Sequence, residues 1–293
     1  MTINLPKKIA IIGVGLIGGS IALGLKKALG DKISVSGSCS DLKRAQRAQK
    51  MGIIDEIISP DKRSLTDCSL VIISTPINSV ITTVKQLIPL LAPNTLMIDV
   101  SSTKRIICEE INKFLPVNLF FLGTHPMAGS ELSGFENASA DLFTNKPWIV
   151  CPNQETRRNN LLPIKSLIQI LKAKPIIMTP AQHDKLVAWA SHLFLIVSSI
   201  LVSAVSKQSR WEEIARIAST GFCDTTRLAS HDPDLKTEII KTNKKNITDC
   251  LLKVRNEIDD FIILLEQNRF RDIRQYMNKT KSVRDNYLND YCH

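Results

Sequence analysis

From Lys8 to Met178 short β-branched runs alternate with longer stretches of helical periodicity, and after that point the strand signal stops. The strand candidates are Ile9–Ile12, Ile33–Ser36, Leu70–Ser74, Leu96–Val100, Leu119–Gly123, Trp148–Cys151 and Pro175–Met178. Helical patterns such as Ile17–Leu29, Leu42–Met51 and Ile77–Leu91 lie between them. Alternation of this kind predicts a doubly wound, mostly parallel sheet with helices on both faces. Thr179-Pro180 then opens a purely helical region. Within it Ile247, Leu251, Val254, Ile258, Phe261 and Leu265 recur at spacings of four and three, one apolar helix face. The expected organisation is an α/β domain over 1–178 and an all-α domain over 179–293, with no third domain after it.

Composition narrows the function classes. At 293 residues, 44% apolar and 23% charged, the chain reads as an ordinary folded protein rather than a disordered, collagenous or multi-span one. Its net charge of +10 favours anionic partners. Aromatic residues make up 5%, too few for the stacking platforms of single-strand binding, so small anionic ligands are expected and nucleic acid is not. Seven scattered cysteines with no CxxC spacing suggest reduced thiols of a cytoplasmic protein, with neither a disulfide framework nor a metal site. Two stretches mimic membrane segments. Lys7-Lys8 and the run Ile9–Leu25 outline a signal peptide, but five glycines interrupt it and no cleavage site follows. Leu186–Val205 is long enough to span a bilayer. It holds four serines and His192, however, and reads as a helix buried on all sides by protein at a subunit interface.

The segment Gly13-Val14-Gly15-Leu16-Ile17-Gly18 joins the first strand to the first helix. In that context Gly13 permits the tight turn, Gly15 a close approach of backbone to pyrophosphate, and Gly18 close strand–helix packing. The N–H groups around Leu16 and Ile17 then face the phosphates of a dinucleotide. An NAD site usually carries an acid at the end of the second strand. Here the chain reads Ser38-Cys39-Ser40, with Asp41, Lys43, Arg44 and Arg47 following. Small hydroxyls and guanidinium groups suit a 2′-phosphate, which points to NADP, while Asp41 keeps NAD possible. Thr75-Pro76 and the segment from Asp99 to Lys104 end the next strands and should line the same cleft. His125 follows the fifth strand candidate, where it could take a proton near neutral pH. The helical region adds His183, His192 and Arg227; the arginine could pair with a carboxylate through two parallel bonds. Asp232-Pro233-Asp234 reads as a turn before the next helix.

The glycine loop, DVSSTK, HPMAGSELSG, HDKLVAWASHL and STGFCDTTRLASHDP, in that order, resemble the prephenate/arogenate dehydrogenase family. The resemblance spans nearly the whole chain and is closest to the compact arogenate dehydrogenases of cyanobacterial type. It implies a Rossmann-type doubly wound, mostly parallel sheet followed by an all-α dimerisation domain, a homodimer, and an active site between the two. It also implies roles. His125 matches the catalytic histidine that takes the proton of the substrate's ring hydroxyl, and Ser102 the serine that orients this histidine or the hydroxyl. Arg227 matches the arginine that holds the ring carboxylate, and His192 the histidine of the SHLP segment near the substrate. Two positions depart from the pattern: Phe194 replaces the proline after SHL, and Cys223 the basic residue before the aspartate of GF-D-T-R. The implied reaction is oxidative decarboxylation of arogenate to tyrosine, or of prephenate to 4-hydroxyphenylpyruvate. Two other classes fit the residues less well. A β-hydroxyacid-type dehydrogenase would use a catalytic lysine on a helix. A non-catalytic NADP sensor would not need the base, the hydroxyl and the carboxylate anchor together.

Overall fold

The computed structural model describes residues 5–58, 65–130, 132–153 and 161–291. They pack as two compact units, residues 1–244 and 245–293. The first unit opens with an eight-stranded sheet: β1 Lys8–Ile12, β2 Ser34–Ser38, β3 Glu56–Ile57, β4 Leu70–Ile73, β5 Leu96–Asp99, β6 Phe120–Pro126, β7 Pro147–Cys151 and β8 Lys174–Ile177. Their order is β3-β2-β1-β4-β5-β6-β7-β8. Every neighbouring pair is parallel except β6 and β7. The expected doubly wound sheet is therefore present, with each predicted strand placed to within a few residues. The short strand β3 gave no apolar run to read, because only two residues pair there.

Helices α1 Leu16–Leu29, α2 Leu42–Lys50, α3 Ile77–Leu87, α4 Arg105–Asn112 and α5 Leu161–Ile170 connect the strands. Burial follows from pattern. Strands β4 and β5 are buried on both faces; β4 reads as an unbroken apolar run, and β5 is apolar up to the buried Asp99 at its end, as central parallel strands tend to be. Ile21 and Leu25 of α1 pack with Ile9, Ile11, Ile72, Ile98 and Leu122 of the sheet in one core. Trp148 and Phe143 close that core with ring centroids 5.1 Å apart.

Beyond Ile177 the chain is helical. Helix α6 Pro180–Val187 begins with a capping box between Thr179 and Gln182, and the adjacent Pro180 supplies no N–H that would need a partner. A π-helical turn, Ala188–His192, leads directly into α7 Leu193–Ser206. Nine residues at roughly 3.6 per turn would put His183 and His192 on opposite helix faces. The wider winding of the π-turn brings both inward. The expected helix is thus present, but not enclosed on every side: Leu186, Trp189, Phe194 and Ile200 are exposed in the single chain. By length and composition Pro180–Ser206 could cross a bilayer, yet its inward face carries hydrogen-bonded His183, Asp184 and His192.

Helices α8 Trp211–Ile217, α9 Thr220–Thr226, α10 Pro233–Glu266 and α11 Phe270–Tyr291 complete the chain. Asp232 caps α10 by accepting from the Asp234 and Leu235 N–H groups, as its Asp-Pro-Asp sequence suggests. Asn243 interrupts α10 with a non-helical backbone. The apolar face read from Ile247 to Leu265 lies on α10, with Ile247 buried and Ile258 and Leu265 exposed.

Candidate active site

At the carboxyl edge of the sheet, β1 turns into α1 through Gly13 at φ +94°, a left-handed conformation that side chains resist. A Cβ there would stand 2.6 Å from the Ser74 carbonyl oxygen. One at Gly18 would stand 2.7 Å from the Gly13 carbonyl oxygen. Both positions pack backbone on backbone. At Gly15, the N-cap of α1, a Cβ would meet nothing within 4 Å. No side chain caps this helix and its first turn holds no acid. The N–H groups of the opening turn, Leu16 and Ile17 included, are therefore free to bind an anion, assisted by the helix dipole. Beside the loop, Thr75 Oγ1 is buried with no hydrogen-bond partner, and Pro76 is the N-cap of α3. An open seat before a helix N-terminus and an orphaned hydroxyl next to it fit a bound dinucleotide.

The other end of that seat is built on β2. The Ser38 carbonyl accepts from Gly13 N (3.0 Å) and Val14 N (2.8 Å), tying β2 to the glycine turn. Cys39 Sγ donates to the Val14 carbonyl at 3.6 Å, and Ser40 is exposed. The Asp41 carboxylate caps α2 by accepting from Arg44 N at 2.9 Å. The Arg44 and Arg47 guanidinium groups lie over the Phe135 ring at 5.5 and 5.8 Å. Arg47 also pairs with Glu136 at 3.1 Å, and Lys43 is exposed. The fold thus gathers Ser38, Cys39, Ser40, Lys43 and Arg44 at one strand end.

His125 stands on β6 itself, opposite Ile149 of β7, and not in a loop after the strand. Strand β6 continues past Gly123 because its last residues exchange parallel pairing with β5 for antiparallel pairing with β7. The imidazole is buried and its Nδ1 meets His183 Nε2 at 2.9 Å. His183 Nδ1 in turn meets Asp184 Oδ1 at 2.7 Å. The Asp184 carboxylate also accepts the Lys104 N–H (2.8 Å) and the Arg105 N–H (3.0 Å) at the start of α4. Asn243 Nδ2 donates to the Asp184 carbonyl at 2.7 Å and lies 3.2 Å from His192 Nδ1. Four segments distant in sequence converge on these rings.

Beneath them lies an ion pair. Lys104 and Asp99 are both 0% exposed, and the Lys104 ammonium contacts the Asp99 carboxylate. Lys104 Nζ also reaches Ser101 Oγ at 3.0 Å, and the Ser101 hydroxyl donates to Asp99. Burial holds His125 well below the ordinary histidine range, with His183 and the Lys104 charge acting the same way. Burial also lowers His183, against the opposing pull of Asp184. His192 is pushed down to about 4, mainly by burial. All three rings are neutral at pH 7, so His125 can accept a proton.

Ser102 is half-buried, with its main chain facing the His192 ring. Arg227 is exposed on the 3₁₀ turn Arg227–Ser230, which packs against α7. Phe194 and Cys223 both lie on exposed surface. Asp184 and Asn243 escaped the sequence reading as site residues, and Asp99 and Lys104 entered it only within a segment lining the cofactor cleft, not as a buried ion pair beneath the histidines. The HD pair at 183–184 and the D…K spacing at 99–104 were visible, but no local pattern shows that they meet.

Comparison with known proteins identifies the family. Residues 21–184 match the family described as prephenate dehydrogenase, nucleotide-binding domain, and residues 179–279 that described as prephenate dehydrogenase, dimerization domain. A Bacillus subtilis prephenate dehydrogenase is 33% identical over 94% of this chain and 75% of its own length. The crystal structure of Synechocystis arogenate dehydrogenase superposes with a TM-score of 0.81 at 30% identity, covering 96% of this chain and 99% of that one. That of the Aquifex aeolicus prephenate dehydrogenase, in complex with hydroxyphenyl propionate and NAD+, gives 0.88 at 26% identity, covering 96% and 98%. A Rossmann-type sheet with an open phosphate seat, a neutral histidine at its carboxyl edge and matches over both halves lead to one conclusion: this chain belongs to the prephenate dehydrogenase family of NAD(P)-dependent oxidoreductases.

Proposed function

We propose that the protein catalyses the NADP-dependent oxidative decarboxylation of L-arogenate to L-tyrosine in the cytoplasm, as a homodimer formed through the helical domain over 179–293. The observation that carries the chemistry is the neutral, buried His125 at the sheet edge that also holds the glycine loop and Thr75. A bound nicotinamide would accept hydride from the hydroxyl-bearing carbon of the substrate. His125 takes the hydroxyl proton as the carbon–oxygen bond becomes a ketone. Arg227 holds the ring carboxylate until it leaves as CO₂ and the ring becomes aromatic. Ser102 orients the hydroxyl or the imidazole, and His192 closes the substrate end of the pocket. General base assistance of this kind contributes about 10²–10⁴ in rate.

The phosphate seat would be formed by Gly13, Gly15, Leu16, Ile17 and Gly18, with Thr75 and Pro76 beside the nicotinamide end. NADP is favoured by the pairing of hydroxyls and cations at Ser38, Cys39, Ser40, Lys43 and Arg44. The only acid nearby in sequence, Asp41, is already engaged in capping α2. The exposed apolar side chains of Pro180–Ser206 support a partner subunit covering that face. A prephenate-specific reading stands beside this one because the Bacillus subtilis and Lactococcus lactis relatives carry that name. Reduced-cofactor formation, followed spectrophotometrically with arogenate and prephenate against NADP and NAD, separates the readings. Turnover with arogenate and NADP is expected to exceed the other three combinations, and a folded protein inert in all four would refute the assignment.

A further inference from the structure

We propose that His183 is a positioning residue for His125, selecting the imidazole tautomer in which Nε2 is the proton acceptor. The inference rests on the reading of His125 as the base. It follows from counting protons along the chain Asp184–His183–His125. Asp184 accepts two main-chain N–H groups, one at each carboxylate oxygen, so this carboxylate is an acceptor throughout. The 2.7 Å contact to His183 Nδ1 therefore needs its proton on that nitrogen. A neutral His183 then has a bare Nε2. The 2.9 Å contact between that atom and His125 Nδ1 needs a proton too, and only His125 can supply it. With its proton on Nδ1, neutral His125 has its lone pair on Nε2, the nitrogen His183 does not engage.

The same chain serves the charged state. When Nε2 takes the substrate's hydroxyl proton, the new imidazolium keeps its Nδ1–H on His183, whose far side rests on the Asp184 carboxylate. The groups facing the two rings are Lys104 with its partner Asp99 from the β5–α4 segment, Asp184 from α6 and His192 from the π-turn. Asn243 of α10 steadies the frame from the other side, holding the Asp184 carbonyl and His192. Without His183, Nδ1 has no acceptor in this frame, and the imidazole is free to carry its proton on Nε2, where it cannot act as base.

Two variants and one spectroscopic measurement test the proposal on the full chain. In ¹⁵N-histidine NMR without ligands, wild-type His125 is expected to show the Nδ1–H tautomer at neutral pH, and an Nε2–H signature would overturn the proposal outright. His183→Leu removes the acceptor and is expected to lower kcat at least about a hundredfold, with NADP affinity changed less than about twofold. His183→Gln restores an oxygen acceptor and should recover kcat to within about tenfold of wild type. Loss of the correct tautomer in a comparable hydrolase triad costs about 10⁴. A folded His183→Leu variant within threefold of wild type, or a glutamine variant no better than leucine, would also overturn it. The tautomer is read without substrate. A wild-type protein inert on both substrates would therefore sink the functional reading, while the tautomer measurement still decides this one.

Discussion

Removing the buried Lys104 charge tests the electrostatics under the proposed base. At a charge separation of about 3 Å and an effective dielectric near 20, a lysine–aspartate pair attracts by roughly 5 kcal/mol. Desolvating each ion costs several kcal/mol, so the pair as a whole is close to neutral for stability. Lys104→Met strands the Asp99 carboxylate at 0% exposure with only Ser101 and weak Thr124 N–H support. That variant should lose about 3–5 kcal/mol. The double variant Lys104→Met/Asp99→Asn removes both charges and keeps an amide able to bond Ser101, so it should recover most of the loss. Urea unfolding at pH 7.5 measures both. Kinetics give an independent sign. The Lys104 charge disfavours the His125 imidazolium, so its removal must raise that pKa. The acid limb of the single variant's pH–rate profile should then move to higher pH. A single variant within about 1 kcal/mol of wild type, or an acid limb that stays or moves down, would refute the reasoning.

His125→Asn should fold, bind NADP and lose about 10²–10⁴ in kcat, as measured with the preferred substrate. Gly15→Val places its side chain in open space, so thermal unfolding of the free protein should shift little while dinucleotide affinity drops at least about tenfold in a fluorescence titration. Arg44→Ala should weaken NADP about tenfold and leave NAD nearly unchanged, because only NADP presents the extra phosphate. Acid should destabilise the fold through its buried histidines. His192 titrates near 4 when folded and near 6.5 when unfolded, so the unfolded chain binds the extra proton first as pH falls. Stability is unaffected by this residue above pH 6.5 and falls by about 3 kcal/mol by pH 4. Denaturation of wild type and His192→Gln across that range should show a flatter slope for the variant.

Local rules were enough for much of this protein. Most strand positions followed from β-branched runs, because parallel strands covered on both faces are largely apolar. The phosphate seat followed from glycine spacing, because only a residue without Cβ fits the contacts at Gly13 and Gly18. The order of HPMAG, SHL and the GF-D-T-R segment indicated the family. Other features had no such local signature. Strand β3 is held by two residues of pairing, below any periodicity.

The histidine chain is the clearest case. His125 stands out in the sequence, but nothing local links it to His183, Asp184, Lys104 or Asn243, and His183 and His192 sit at a spacing that regular helix would turn apart. Strand pairing at β6–β7, the π-turn after α6 and the interruption of α10 at Asn243 bring them together. Repeating patterns record which face of an element is buried. Which buried polar atoms meet depends on angles and offsets between elements, and those arise from the packing of the whole fold.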